Sequence, residues 1–178
     1  DILHRAISNG NYEAEIVSET ISPSMDIQIA SNFERLIFDL NYKNSEQTSK
    51  DMMKIKEEGK YLIDQEKLNI INKDFLSARM SETETLEVIK SVYEEFNIVL
   101  DPHTAIGYGA FDKHDLNGNN IVLATAHPCK FPDAIQSAIN IKAELPNELQ
   151  FILNEKENYD IIENDIEKVK GHIIERSK

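Results

Sequence analysis

The chain of 178 residues carries a formal charge of −13 and is 40% hydrophobic, enough for one ordinary domain or part of a larger one. So acidic a composition excludes a protein whose main partner is nucleic acid, but leaves room for a local basic pocket where Arg35, His127 and Lys130 converge on a small anionic metabolite. No apolar run approaches the roughly 20 residues that cross a bilayer, and Cys129 is the only cysteine, so a cytoplasmic protein with no membrane partner and no internal disulfide is expected.

The first residues, DILHRAISNG, have no start methionine and read as cut from something longer. Ile2, Leu3, Ala6 and Ile7 predict a short helix that stops at Asn9-Gly10. Tyr12 to Ile21 is expected to hold a brief extended segment before Ser22-Pro23. Ser24 then reads as the N-cap of an amphipathic helix over Met25 to Leu40, with Ile29, Phe33, Leu36, Ile37 and Leu40 on one side. Asn32 and Arg35 lie one turn apart on it with Ser31 beside them; ordinary surface solvation and pairing with Glu34 or Asp39 is the competing role.

Thr48 to Glu58 predicts a helix with Met52, Met53 and Ile55 inward and Gly59 as its stop. Tyr61 to Ile63 and Ile70-Ile71 are short apolar pieces of open assignment, and Phe75 to Met80 permits a short extended segment. Ser81-Glu82-Thr83-Glu84 is a capping box opening a helix whose stripe runs through Leu86, Ile89, Tyr93 and Phe96, widened by Val88 and Val92, to a stop at Asn97. Asp101 reads as an N-cap and Pro102 as the first residue of the next helix. His103 falls in its first turn, where the helix dipole favours a neutral imidazole. Gly107 and Gly109 allow close packing around Tyr108, but that spacing alone is no dinucleotide fingerprint.

After a turn over Leu116 to Asn120 comes the most informative stretch, NIVLATAHPCKFPDA. Its β-branched start predicts the clearest strand of the chain, Ile121 to Leu123, with room to extend through Thr125, followed by a loop with Thr125, His127, Cys129 and Lys130 and then a helix started by Pro132. Loops at the carboxyl ends of strands are where open α/β folds bind ligands; an ordinary connection is the plainer reading. A helix through Ala134, Ile135, Ala138 and Ile139, a short one over Asn147 to Leu153 and a terminal one over Asp160 to Ile174 complete an α/β chain that is mostly helical with few strands. No repeat of fixed period is present.

Several chemistries find no support. There is no nucleophile elbow, no P-loop, and no third group to orient Cys129 with His127 or His103. His103, His127, Asp101 and Asp133 match neither a zinc nor a calcium pattern, so no metal site is expected.

Three long stretches in order carry a family resemblance: SPSMDIQIASNFERLIFDL (Ser22 to Leu40), LDPHTAIGYGA (Leu100 to Ala110) and VLATAHPCKFPDAI (Val122 to Ile135). They look very like segments of threonine synthase, and the opening DILHRAISNGNY resembles the segment after that family's glycine-rich cofactor loop. The resemblance spans nearly the whole chain and covers only the later portion of the enzyme. It implies the tryptophan-synthase-like class of pyridoxal-phosphate enzymes and the conversion of O-phosphohomoserine and water to threonine and phosphate.

By motif, Thr125 matches the partner of the pyridine nitrogen, and a neutral hydroxyl there favours an unprotonated ring. His127 and Lys130 would organise cofactor or phosphorylated substrate; Ser31, Asn32, Arg35, Asp101 and His103 fall in pocket-lining segments. Cys129 stands where alanine is more usual. The lysine that anchors the cofactor and the glycine loop lie upstream in the family, so residues 1–178 by themselves are expected to be inactive and to need the upstream part of the same enzyme. A noncatalytic relic, an assembly piece and a metabolite-binding helical domain are the alternative readings.

Overall fold

The computed structural model describes residues 1–114 and 116–177, which divide into two compact units, Asp1–Glu144 and Leu145–Lys178. Helices dominate, accompanied among the described residues by one small antiparallel sheet.

In the first unit, α1 (Ile2–Asn9) ends on Gly10, whose φ of 79° lets its N–H reach back to the Ala6 carbonyl at 3.0 Å. The chain turns directly into β1 (Asn11–Glu13), which pairs with β2 (Lys60–Leu62) in the register Tyr12 opposite Tyr61. α3 (Ser45–Glu58) leads into β2 through Gly59, and α4 (Gln65–Asp74) follows it. Ile2, Ala6, Tyr12, Phe33, Ile37, Ile55, Tyr61 and Ile71 form one core, in which the Tyr12 and Phe33 rings stack at 5.1 Å. A buried polar knot closes its edge: Asp51 accepts from Asn41 at 3.0 Å and from Gln47 at 2.9 Å, with Lys67 3.9 Å away. These donors satisfy a carboxylate that burial would otherwise leave costly.

α5 (Glu82–Phe96), α6 (Pro102–Asp112) and α7 (Pro132–Ile139) build a second core around Ile89, Ala105 and Ile135, none of which reaches solvent. Each isoleucine there contributes about 1.5–3 kcal/mol by burial. Gly109 permits the close approach of α5 to α6, since a Cβ there would overlap the end of Met80 and lie 3.1 Å from Val88 Cγ2. Asn97 and Asn140 end α5 and α7 in the left-handed region.

The capping box at the start of α5 is complete. Ser81 N–H donates to Glu84 Oε2 at 2.7 Å and Glu84 N–H donates to Ser81 Oγ at 3.2 Å. Lys113, 2.7 Å from Glu84 Oε1, joins the box to the end of α6. That ammonium, helped by the Ser81 amide and hydroxyl, holds the Glu84 carboxyl down at about 2 against an ordinary 4.5. A carboxyl depressed on folding stabilises when ionised, so the contribution is complete above pH 4.5 and is lost as the pH falls toward 2. Thermal midpoints of the parent and Glu84→Gln are therefore expected to differ at neutral pH and to converge in acid; a gap that persists undiminished would sink the assignment.

Several expectations need correction. The helix expected over Met25 to Leu40 is only α2 (Phe33–Leu40), preceded by a 3₁₀ turn at Pro23–Met25. The intervening segment is held by other bonds: Asp26 accepts the Thr20 hydroxyl at 2.7 Å and amide at 2.8 Å, and the Tyr12 hydroxyl accepts the Ala30 N–H at 2.8 Å. Side chains that satisfy the backbone in this way compete with helix formation.

Ile121 to Leu123 is not a strand. Among the described residues no strand lies alongside it, and Ile121 and Leu123 are 89% and 75% exposed. A β-branched run needs a neighbour to complete its ladder. Phe75 to Met80 is likewise unpaired, and β1 stops at Glu13. α5 buries Thr85, Ile89 and Val92, leaving Phe96 half-exposed.

In the second unit, the short helix is a 3₁₀ helix over Asn147–Asn154. α8 (Ile166–Arg176) starts later than expected because Asp165 caps it, accepting the Glu167 and Lys168 amides at 3.0 Å each.

Candidate functional site

α6 begins on a proline preceded by Asp101, and this start is the centre of the polar chemistry in the first unit. Asp101 is 1% exposed. Its Oδ1 accepts the His103 amide at 2.9 Å and the His103 ring at 3.0 Å, while its Oδ2 accepts the Thr104 hydroxyl. Burial pushes the carboxyl upward, but these bonds, led by Thr104, outweigh it and hold Asp101 below the ordinary carboxylate range.

His103 is fixed from both sides. Nδ1 faces a carboxylate and must donate, whereas Nε2 accepts the Ser24 N–H at 3.2 Å. This selects the neutral Nδ1–H tautomer, as the helix N-terminus favours. The imidazole also packs on Phe131, ring centroids 4.8 Å apart, next to the start of α7. One buried aspartate thus ties together α6, the 3₁₀ turn at Pro23–Met25 and the loop before α7.

Thr125 joins the same cluster. Its N–H donates to Thr104 Oγ1 at 2.9 Å and its own hydroxyl lies 3.3 Å from that oxygen, with the residue as a whole exposed. Three residues on, Pro128–Lys130 makes a 3₁₀ turn in which the Cys129 N–H donates to His127 Nδ1 at 3.2 Å. His127 accordingly presents Nε2 outward. His127 and Lys130 are exposed and Cys129 is half-buried.

Ser31, Asn32 and Arg35 line a hollow of about 480 Å³ that Ser45, Thr48 and Ser49 also line, with Glu34 and Phe38 completing its wall. Arg35 donates to Asn32 Oδ1 at 3.1 Å. Hydroxyls, an amide and a guanidinium around one open hollow are chemistry suited to an anion. Arg35 lines this hollow, and His127 and Lys130 are not among the residues that line it.

Sequence reasoning missed Thr104 and the α3 hydroxyls of Ser45, Thr48 and Ser49. Thr104 had a readable signal, because it is the third residue of a helix capped by aspartate, where a hydroxyl faces the cap. Among the described residues no group of three or more metal-ligating side chains occurs, and no helix is long and apolar enough to cross a membrane.

Comparison with known proteins gives these features a family. A family model described as "Threonine synthase, C-terminal" matches residues 104–173. Threonine synthase of Pseudomonas aeruginosa is 36% identical over 176 residues, covering 97% of this chain and 38% of that protein. The Saccharomyces cerevisiae enzyme is 37% identical, covering 98% and 39%. In structure, the crystal structure of PLP-bound threonine synthase from Brucella melitensis superposes with a TM-score of 0.87 at 37% identity over 100% of this chain and 39% of that one. The yeast crystal structure gives 0.81 at 36% identity over 99% and 40%. The chain spans about two fifths of the length of the relatives it matches. Sequence and fold agree from end to end, and the chain belongs to the threonine synthase family, matching the C-terminal portion of its members.

Proposed function

We propose that this chain forms one wall of the active site of a pyridoxal-phosphate-dependent threonine synthase, which converts O-phosphohomoserine and water into threonine and phosphate. The observation that carries the reading is the end-to-end similarity to threonine synthases, one of them solved with PLP bound. The residues present fit the cofactor: Thr125 offers an exposed hydroxyl whose backbone is tied down by Thr104. When bound, the cofactor supplies the electron sink that the elimination requires.

The chain's own residues bind and orient. The Thr125 hydroxyl would partner the pyridine nitrogen, more weakly than a carboxylate would. His127, through Nε2, and Lys130 would hold phosphate oxygens of cofactor or substrate. Ser31, Asn32 and Arg35 receive the anionic substrate, supplying local positive charge in a chain of net charge −13. Asp101 and His103 keep the walls in register. The lysine that anchors the cofactor and the glycine loop come from residues outside 1–178, in the same enzyme, and the exposed run Ile121 to Leu123 pairs with that part. The reaction is assigned to the cytoplasm.

Phosphate release from O-phosphohomoserine tests the proposal. Release is expected from the complete enzyme carrying this chain and not from residues 1–178 alone. Arg35→Ala in the complete enzyme is expected to lower kcat/KM about 10- to 100-fold, the worth of one hydrogen bond to a charged group. Turnover by the isolated chain, or none by the complete enzyme, overturns the reading.

A further inference from the structure

A threonine hydroxyl has one proton and two lone pairs, and at Thr104 the structure accounts for all of them. The proton goes to Asp101, because a carboxylate only accepts. One lone pair takes the Thr125 amide at 2.9 Å. The other faces Thr125 Oγ1 at 3.3 Å, and since Thr104 has no second proton, any bond along that line runs from Thr125 to Thr104. Thr104 is buried and Asp101 more so, which shields the bond between them from solvent.

We propose that Thr104 is a positioning residue of the cofactor site: with its own proton taken by Asp101, it accepts the Thr125 amide and holds the Thr125 backbone where its side chain meets the ring nitrogen. The proposal rests on the reading of Thr125 given above. Asp101 fixes the Thr104 hydroxyl with its lone pairs toward Thr125, so the acceptor that ties down the Thr125 amide does not rotate away. Turning the Thr125 proton outward then gives up only a long contact, while the 2.9 Å bond to its amide keeps the residue in place. Asp101 and Thr104 thereby place Thr125 without touching the cofactor.

The test uses the complete holoenzyme and reads the cofactor directly. Thr125→Val, Thr104→Val and Thr104→Ser are compared for cofactor dissociation constant and absorption spectrum. Thr104→Val is expected to weaken cofactor binding about tenfold, the worth of a lost hydrogen bond, and to move the spectrum in the direction Thr125→Val moves it. Thr104→Ser, which restores the hydroxyl, is expected to return both to parent values.

If Thr125→Val changes the spectrum while Thr104→Val matches the parent, the positioning role is wrong and the reading of Thr125 survives. If Thr125→Val itself changes nothing, the reading of Thr125 fails and the proposal with it. A measurement on the parent guards against a variant that does not fold: cofactor labelled with ¹⁵N in the ring is expected to show an unprotonated, hydrogen-bonded nitrogen, and a protonated ring overturns the reading of Thr125 and the proposal with it.

Discussion

Asp101→Ala is expected to destabilise the protein by about 3 kcal/mol, a capping loss of about 1 kcal/mol plus about 1–3 kcal/mol for buried donors left without a partner. The groups stranded are the Thr104 hydroxyl and the His103 ring N–H, both of which have their acceptor in this one carboxylate. Asp101→Asn keeps one acceptor oxygen but turns an NH₂ toward one of those donors, so a smaller loss of about 2 kcal/mol is expected. Denaturant midpoints at constant slope measure both. A loss from Asp101→Ala below about 1 kcal/mol would mean that neighbouring elements take over its partners.

Acid provides an independent check on Asp101. Its carboxyl lies below the ordinary 3.8 in the folded protein, so its contribution is complete above that pH and disappears as the pH falls through the lower folded value. The difference between parent and Asp101→Ala is expected to narrow below pH 3.8 and to be constant above it.

Gly10→Ala is the second large effect. Gly10 has φ of 79°, and a Cβ there would sit 2.6 Å from the Ile63 carbonyl oxygen, a backbone atom that cannot rotate away. The neighbouring bond from Ile63 N–H to the Gly10 carbonyl, 2.9 Å, extends the pairing of β1 with β2, so the overlap opens the small sheet under which Tyr12 is buried. About 3 kcal/mol or more is expected, from the left-handed backbone and the steric overlap together.

Gly59→Ala is the control, because Gly59 has nearly the same φ, 74°, but nothing within 4 Å of a Cβ. Only the backbone term applies there, about 1 kcal/mol. Equal losses at the two positions would show that the Ile63 contact relaxes.

The two glycines mark the boundary between what could be read in advance and what could not. Both helix stops were legible, as were the stop at Asn97, the Ser81–Glu84 box and the Asp101–Pro102 start of α6. Each is a bond between residues at most four apart, and such bonds form wherever the local sequence allows. That one glycine is spatially crowded and the other open depends on Ile63, which no local pattern indicates.

The same division runs through the candidate site. The residue types at Thr125, His127, Lys130, Asp101 and His103, and the family to which their motifs belong, were readable as sequence. Which of them touch was not. Thr104 acquires its part only because Thr125, 21 positions later, returns to it, and His103 because Ser24 does, 79 positions earlier.

Sequence by itself determined the caps, the helical character and the family. Tertiary structure decided the strands, since Tyr12 and Tyr61 pair across the chain while the stronger β pattern at Ile121 to Leu123 has no neighbouring strand among the described residues. It also shortened α2, by giving the Tyr12 hydroxyl the Ala30 amide that a longer helix would have used. A cap is satisfied within one turn, whereas a ladder or a buried hydroxyl is satisfied only by what folding brings beside it.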